Sequence, residues 1–182
     1  IIMSKVTWKP GTLLAPVPAV MVSCGTMEKP NIITIAWTGI VNSDPAMTYI
    51  SVRRERFSHA LISKSGEFVI NLTTSALSRA TDLCGVKSGR DTDKFALANL
   101  TPEPASKLSC PMIVQSPLSL ECKVTQVLPL GSHDMFLAKI IAVNVEESLL
   151  DEKGKLHLSR CGLLSYAHGE YFAQGRRLGG FG

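Results

Sequence analysis

The chain has 182 residues, 45% of them hydrophobic, 19% charged and 6% aromatic, with a net charge of +4. That length suits one domain, the apolar content supplies a core, and the low charge excludes a disordered chain. A mildly basic balance with so few rings argues against a nucleic-acid surface, which calls for a basic stripe with interleaved aromatics.

From the N-terminus, IIMSKVTWKP lacks a basic start followed by a long apolar stretch. No secretory signal is expected, and a cytoplasmic location is the default. Ile1 and Ile2 ahead of Met3 read as a cloning remnant. Val17 to Gly25 is rich in β-formers and ends at the turn TMEKP. NIITIAWTGIV follows as one apolar strand, so the pair reads as a hairpin. This uncharged run is too short to span a bilayer and contains polar residues, so no membrane association is expected. Asn42-Ser43-Asp44-Pro45 marks a break, and Met47 to Val52 is the next strand. Ser58 is placed to cap a short helix that stops at Gly66. EFVINL is a further strand.

Ser75 to Cys84 reads as a helix capped by Gly85. A polar loop, KSGRDTD, leads into another short helix with Asp91 or Thr92 as its cap. Ser119–Val127 and Met135–Val145 are two long strands around PLGSHD. The tail holds short apolar pieces among glycines. The count is six or more strands, mostly in consecutive pairs, with two or three short helices. Hairpins and an antiparallel sheet are therefore expected. Regular β-α-β alternation is missing, and so are the Gly-rich fingerprints of nucleotide folds. The best architecture is a closed or half-open antiparallel barrel with helices outside.

The five cysteines, Cys24, Cys84, Cys110, Cys122 and Cys161, are odd in number and form no C-x-x-C pair. They read as small buried hydrophobes rather than a disulfide framework or zinc ribbon. His59, His133, His157 and His168 lack metal-type spacing, so no metal site is expected.

Positive charge collects at Arg53, Arg54 and Arg56, at Lys87, Arg90 and Lys94, and at Arg176 and Arg177. Two of these groups flank the strand–helix segment, which suits a local anion site. Arg53 and Arg54 should point to opposite faces of their strand, so only one reaches a given ligand. Ser58 can cap its helix, contact a phosphate, or do both. Lys94 sits after a glycine-containing loop, as a phosphate partner or a surface lysine. Trp37 can fill a core or pack over a planar ligand, its N–H seeking an acceptor such as a phosphate oxygen. His133, at a hairpin tip, is a solvated turn residue or a donor to an anionic ligand.

Taken in order, Pro16-Val17-Pro18, KPNIITIAWTG with its Asp-Pro turn, ISVRRERFSHALI, GEFVIN, SGRDTDKF, PLSLECKV, GSHDMFLAKI and LLSYAHGEYFAQGRRLGGFG carry a resemblance over nearly the whole chain. They resemble the flavoredoxin branch of the flavin reductase-like, FMN-binding split-barrel family. The resemblance implies a mainly β fold, a six-stranded antiparallel Greek-key split β-barrel with two or three short peripheral helices. It implies one domain over 1–182, a homodimer with residues 165–182 packing at the dimer contact, and non-covalent FMN nearby. The family's FMN contacts match Asn31, Trp37, Ser58, Lys94, His133 and Tyr166 here. Ser58 stands where the family has Thr, and Tyr166 where it has Phe; the hydroxyl and the aromatic face are kept. Thr34, Ala36 and Thr38 join them through backbone amides at the isoalloxazine edge, and Arg53 as the guanidinium of the set. His133 is the candidate proton donor or nicotinamide guide.

The implied activity is an FMN-dependent oxidoreductase. It would take electrons from NAD(P)H or a protein donor and pass them to flavin, metal or protein. A flavoredoxin-type carrier without its own nicotinamide site is the alternative, and a barrel binding some other planar ligand is a third. Redox partners are expected; nucleic acid and membrane are not.

Overall fold

The computed structural model describes residues 3–182. The remnant expected at Ile1 and Ile2 lies outside them. The strands are β1 (Val17–Pro18), β2 (Val20–Gly25), β3 (Pro30–Ile35), β4 (Thr38–Ser43), β5 (Ala46–Arg53) and β6 (Glu67–Asn71), followed by β7 (Pro102–Glu103), β8 (Met112–Ile113), β9 (Leu118–Pro129), β10 (His133–Val145), β11 (Leu164–Ala167) and β12 (Glu170–Ala173). Three helices, α1 (Phe57–Ser65), α2 (Ser78–Val86) and α3 (Lys94–Leu97), lie between β5 and β7.

Seven strands form the main sheet in the order β3-β2-β6-β9-β10-β5-β4. Every neighbouring pair is antiparallel. Laid flat, its edge strands would be about 29 Å apart at ~4.8 Å per strand. Yet the edges β3 and β4 are joined by Ala36 and Trp37 alone, a link that spans about 10 Å. The sheet must therefore curl until its edges meet. The Ser51 N–H donates to the Trp37 carbonyl at 3.0 Å, extending the β4–β5 pairing into this link. No ladder joins β3 to β4 among the described residues, and this leaves the barrel split. The expected mainly β split barrel is thus the observed fold. The count rises from six to seven because NIITIAWTGIV, expected as one strand, is two. Trp37 consequently sits in a bend and not inside a strand.

Alternation explains the core. Val20, Val22 and Cys24 of β2, Ile33 and Ile35 of β3, Ile50 and Val52 of β5, Phe68 and Ile70 of β6, and Phe136 and Ala138 of β10 fill the barrel. The opposite faces of β2 and β3 are also covered: Met21 and Ile32 pack with Cys84, Phe95 and Ile113. Burial on both faces is why these two strands read as continuous apolar runs rather than alternating ones. Phe68 and Phe136 are fully buried, and truncating either to alanine costs about 3–5 kcal/mol. All five cysteines are free thiols, four of them buried.

Three helix boundaries differ from expectation. Arg56, not Ser58, is the N-cap of α1; Gly66 closes it with φ +68°, as a left-handed cap requires. The expected helix from Ser75 begins as a single 3₁₀ turn, and α2 then runs through Gly85 to Val86. Asp93, not Asp91 or Thr92, caps α3, its carboxylate accepting from the Ala96 N–H at 3.1 Å.

Candidate functional site

Two cavities meet where the barrel seam faces α1 and α2. The first is a cleft of about 210 Å³ whose lining includes Thr34, Ala36, Trp37, Arg53, His133 and Tyr166. The β3–β4 bend supplies its floor. The pairing of Arg53 with His133 across β5 and β10 supplies its cationic rim. The Trp37 and His133 rings lie 4.5 Å apart at 34°, forming a continuous aromatic wall. His133 Nδ1 is 2.8 Å from Ser132 Oγ, which leaves Nε2 uncommitted. Burial, aided by the Arg53 guanidinium, holds the His133 pKa below the ordinary 6.5. The imidazole is therefore neutral at pH 7.

The second cavity, about 130 Å³, is lined by Glu55, Arg56, Phe57 and Ser58 at the start of α1, by Val86 and the loop Lys87–Arg90, and by Lys94; its four basic side chains outnumber the one carboxylate. Lys94 is only 4% exposed. Its Nζ donates to the Cys84 carbonyl at 2.9 Å, and no carboxylate lies within ion-pair distance among the described residues. Burial, with the Arg56 guanidinium adding to it, lowers its pKa to about 8; the thiols Cys84 and Cys24 act the other way. A buried ammonium is expensive unless an anion answers it. The α1 start adds N–H donors and a positive dipole end.

Gly89 completes this cavity. A Cβ there would lie 2.0 Å from Asn31 Oδ1 and 2.9 Å from the Phe57 ring. Only a bare backbone fits. Asn31 Nδ2 donates to Ser58 Oγ at 2.8 Å, and both residues are buried. Arg90 lies over the Phe57 ring, 5.8 Å from its centroid. A dianionic phosphate is the ligand that such a donor set fits.

Of the residues singled out in the sequence, Thr34, Ala36, Trp37, Arg53, His133 and Tyr166 come together in the cleft. Ser58 and Lys94 line the second cavity, with Asn31 directly behind Ser58. Trp37 lines the first cleft and is not among the residues lining the second cavity around Lys94. Thr38 lines neither cavity; its hydroxyl donates to the Tyr49 carbonyl at 2.6 Å. Arg54 lies on the other side of the strand from Arg53 and pairs with Asp134 at 2.9 Å.

The sequence points to Arg53 as the guanidinium of the set, and the structure adds Arg56. It lines both cavities and donates to the Gly85 carbonyl at 2.6 Å, bridging α1 and α2. Strand alternation gives no guide to it, because the chain has already left β5 at Arg53. Gly89 carried a signal that the sequence did offer, a glycine flanked by polar residues just before a short helix. Among the described residues no group of three or more His, Cys, Asp or Glu is placed to hold a metal ion.

Comparison with known proteins follows this geometry. The family model described as a flavin reductase like domain matches residues 13–175. The flavoredoxin of Desulfovibrio vulgaris (Miyazaki F) is similar at a TM-score of 0.90 and 30% identity, covering 97% of each chain. The flavoredoxin from Methanosarcina acetivorans has a TM-score of 0.90 at 26% identity, over 98% of this chain and 95% of that one. The FMN-binding protein from Thermus thermophilus, solved with bound 1-cyclohex-2-enone, has a TM-score of 0.82 at 25% identity, over 98% of this chain and 99% of that one.

Proposed function

Because the chain belongs to the flavin reductase-like domain family, we propose that it is an FMN-binding flavoprotein oxidoreductase that moves electrons from NAD(P)H to a flavin, metal or protein acceptor. One observation supports this most: Lys94, buried and without an ion-pair partner among the described residues, faces a cavity that adjoins a cleft walled by Trp37, His133 and Tyr166. The two compartments have the polarity of the two ends of FMN. When bound, the isoalloxazine supplies the hydride and electron transfer.

The chain's residues do the rest. Lys94, Arg56 and the start of α1 hold the phosphate. The Gly89 backbone permits its approach, and Asn31 keeps the Ser58 hydroxyl in place. Trp37 and Tyr166 bound the ring and exclude water from its face. Backbone N–H groups of the β3–β4 bend are available to its edge. The neutral His133 holds or delivers a proton at Nε2, and Arg53 keeps that imidazole neutral while offering positive charge at the rim.

A homodimer suits the exposed apolar edge of β4, where Ile40 is 72% exposed. Free thiols throughout suit a reducing, cytoplasmic compartment. Among the described residues no helix is long and apolar enough to cross a membrane. A second reading, an electron carrier reduced by a protein rather than by NAD(P)H, is favoured by the full-length similarity to the Desulfovibrio flavoredoxin.

Anaerobic mixing of the FMN-loaded protein with NADH and with NADPH separates the two. Bleaching within a turnover time supports the reductase. Colour that persists until dithionite is added supports the carrier, and a protein that takes up no FMN contradicts both.

A further inference from the structure

Three residues that line the two cavities are each followed in the chain by one that faces elsewhere, and those three followers meet. Arg53 is followed by Arg54, Ser58 by His59, and His133 by Asp134. Asp134 Oδ1 accepts from Arg54 Nε at 2.9 Å. Its Oδ2 lies 2.8 Å from His59 Nε2, which faces a carboxylate and therefore carries the hydrogen. Asp134 is only 8% exposed. The hydrogen bond from His59 holds its carboxyl below the ordinary 3.8 against the pull of burial, and Arg54 adds to this. On β10, Asp134 shares the inward face with Phe136 and Ala138. The His59 ring meets Phe136 edge-on, with 5.2 Å between centroids.

This trio lies behind both compartments. His133 and Asp134 share one stretch of backbone and point to opposite faces, so whatever fixes Asp134 also fixes β10 at His133. Arg53 pairs with His133 across β5 and β10 and moves with it. On the other side, Ser58 and His59 share the first turn of α1. That helix has nine residues, no side-chain hydrogen bond at its N-cap and no acidic residue in its first turn. So short a helix does not hold itself and is placed by its contacts. Ile62 anchors its far turn in the barrel core, and Asn31 ties Ser58 to β3. Toward β10 the tie is His59 to Asp134, the one side-chain hydrogen bond between these two elements among the described residues.

We propose that Asp134 and His59 are positioning residues that set the spacing between the phosphate cavity and the His133–Arg53 rim of the cleft, an assignment that rests on the flavin reading above. FMN engages both compartments. Once one end is bound, the other binds at an effective concentration that the spacing controls. Freeing α1 from β10 lets that spacing vary. The effective concentration falls, while the donors of each compartment stay in place. A ligand that fills one compartment alone does not sense the spacing. Riboflavin fills the cleft without the phosphate cavity, and inorganic phosphate does the reverse. The tie therefore acts on the ligand that spans both.

The test titrates apoprotein at pH 7 with FMN, with riboflavin, and with inorganic phosphate read by its displacement of FMN. His59→Leu keeps a good helix former and leaves the Arg54–Asp134 pair, but removes the tie. Its FMN affinity is expected to fall by about tenfold or more, while riboflavin and inorganic phosphate change by less than about threefold. His59→Gln, whose Nε2 can donate from nearly the same place as the imidazole Nε2, is expected to restore FMN affinity to within about threefold of wild type. Asp134→Ala, which releases α1 from the strand side, is expected to reproduce His59→Leu. Equal loss of all three ligands marks a merely structural role and overturns the proposal. So does unchanged FMN affinity in His59→Leu, or a His59→Gln protein as weak as His59→Leu. Wild type that takes up no FMN overturns the flavin reading and this assignment together; wild type that binds FMN beside variants that bind it equally well overturns this assignment alone.

Discussion

The ammonium of Lys94 donates to the carbonyl of Cys84 at 2.9 Å and has no carboxylate within ion-pair distance among the described residues. The residue is almost wholly buried. The fold thus holds a buried cation with room beside it for a counter-charge from outside the chain. Its pKa of about 8, against an ordinary 10.5, measures that cost. The first consequence is a pH dependence with a definite sign. Phosphate binding favours the charged lysine, so FMN affinity should be flat below pH 8 and fall as pH rises above it, by up to about tenfold per unit. Titrating apoprotein with FMN between pH 6.5 and 9.5 checks this. Lys94→Met should remove the break in the profile along with most of the affinity.

Stability of the apoprotein should move the other way. A lysine whose folded pKa lies below its unfolded value loses its proton first in the folded state. Between pH 8 and 10.5 the unfolded chain then binds more protons, and stability rises with pH. The difference of about 2.5 units sets a ceiling of about 3 kcal/mol at ~1.36 kcal/mol per unit. Urea midpoints of wild type and Lys94→Met across this range test it. The wild type should gain on the variant as pH rises, and parallel curves would contradict the assignment.

Gly89→Ala tests the cradle. The added methyl would sit 2.0 Å from Asn31 Oδ1, and Asn31 is buried and tied to Ser58. The clash displaces that hydrogen bond or the loop. A loss of about 1–3 kcal/mol in stability is expected, with at least a tenfold loss of FMN affinity. The double variant Lys94→Ala, Ser58→Ala should also lose FMN while remaining folded.

Glu121 offers a control away from the site. Its fully buried carboxylate accepts from the N–H groups of Ser106, Lys107 and Leu108 at 2.7–3.0 Å and from Asn144 Nδ2 at 2.8 Å. Burial alone would raise its pKa, but the hydrogen bonds from Ser106 and Asn144 outweigh burial and lower it. Its contribution to stability is therefore present above the unfolded carboxylate range and lost as pH falls below it. Glu121→Ala should cost about 3 kcal/mol in chemical denaturation, because it orphans several donors at once. FMN affinity of the folded variant should be unchanged.

Much of this architecture was legible in the residues. The Asp44-Pro45 turn, the paired apolar runs and the long strands flanking PLGSHD give the hairpins without any structure. Gly66 ends α1 as expected, and the structure supplies the reason, a left-handed cap at φ +68°. The bend at Ala36-Trp37 was not legible, since NIITIAWTGIV contains no breaker before Gly39; barrel closure imposes the bend. That Ser58 does not cap α1 is invisible locally, because its hydroxyl partner, Asn31, is 27 residues away. Asp93 was missed among three adjacent candidates, because only the helix register decides which one reaches the third residue on. Lys94 could be singled out from its loop, but its burial without an ion-pair partner among the described residues is a property of three dimensions. Arg56 is another such case: a turn re-aims it into both cavities.

The central claim is that Lys94, Arg56 and the Gly89 loop form a phosphate site joined to a planar cleft. Parallel titrations of apoprotein with FMN and with riboflavin test it most directly, because the two ligands differ only in the phosphate. FMN should bind at least about a hundredfold more tightly, the ~2.7 kcal/mol that one or two charge-assisted hydrogen bonds supply. Equal affinities would contradict the assignment.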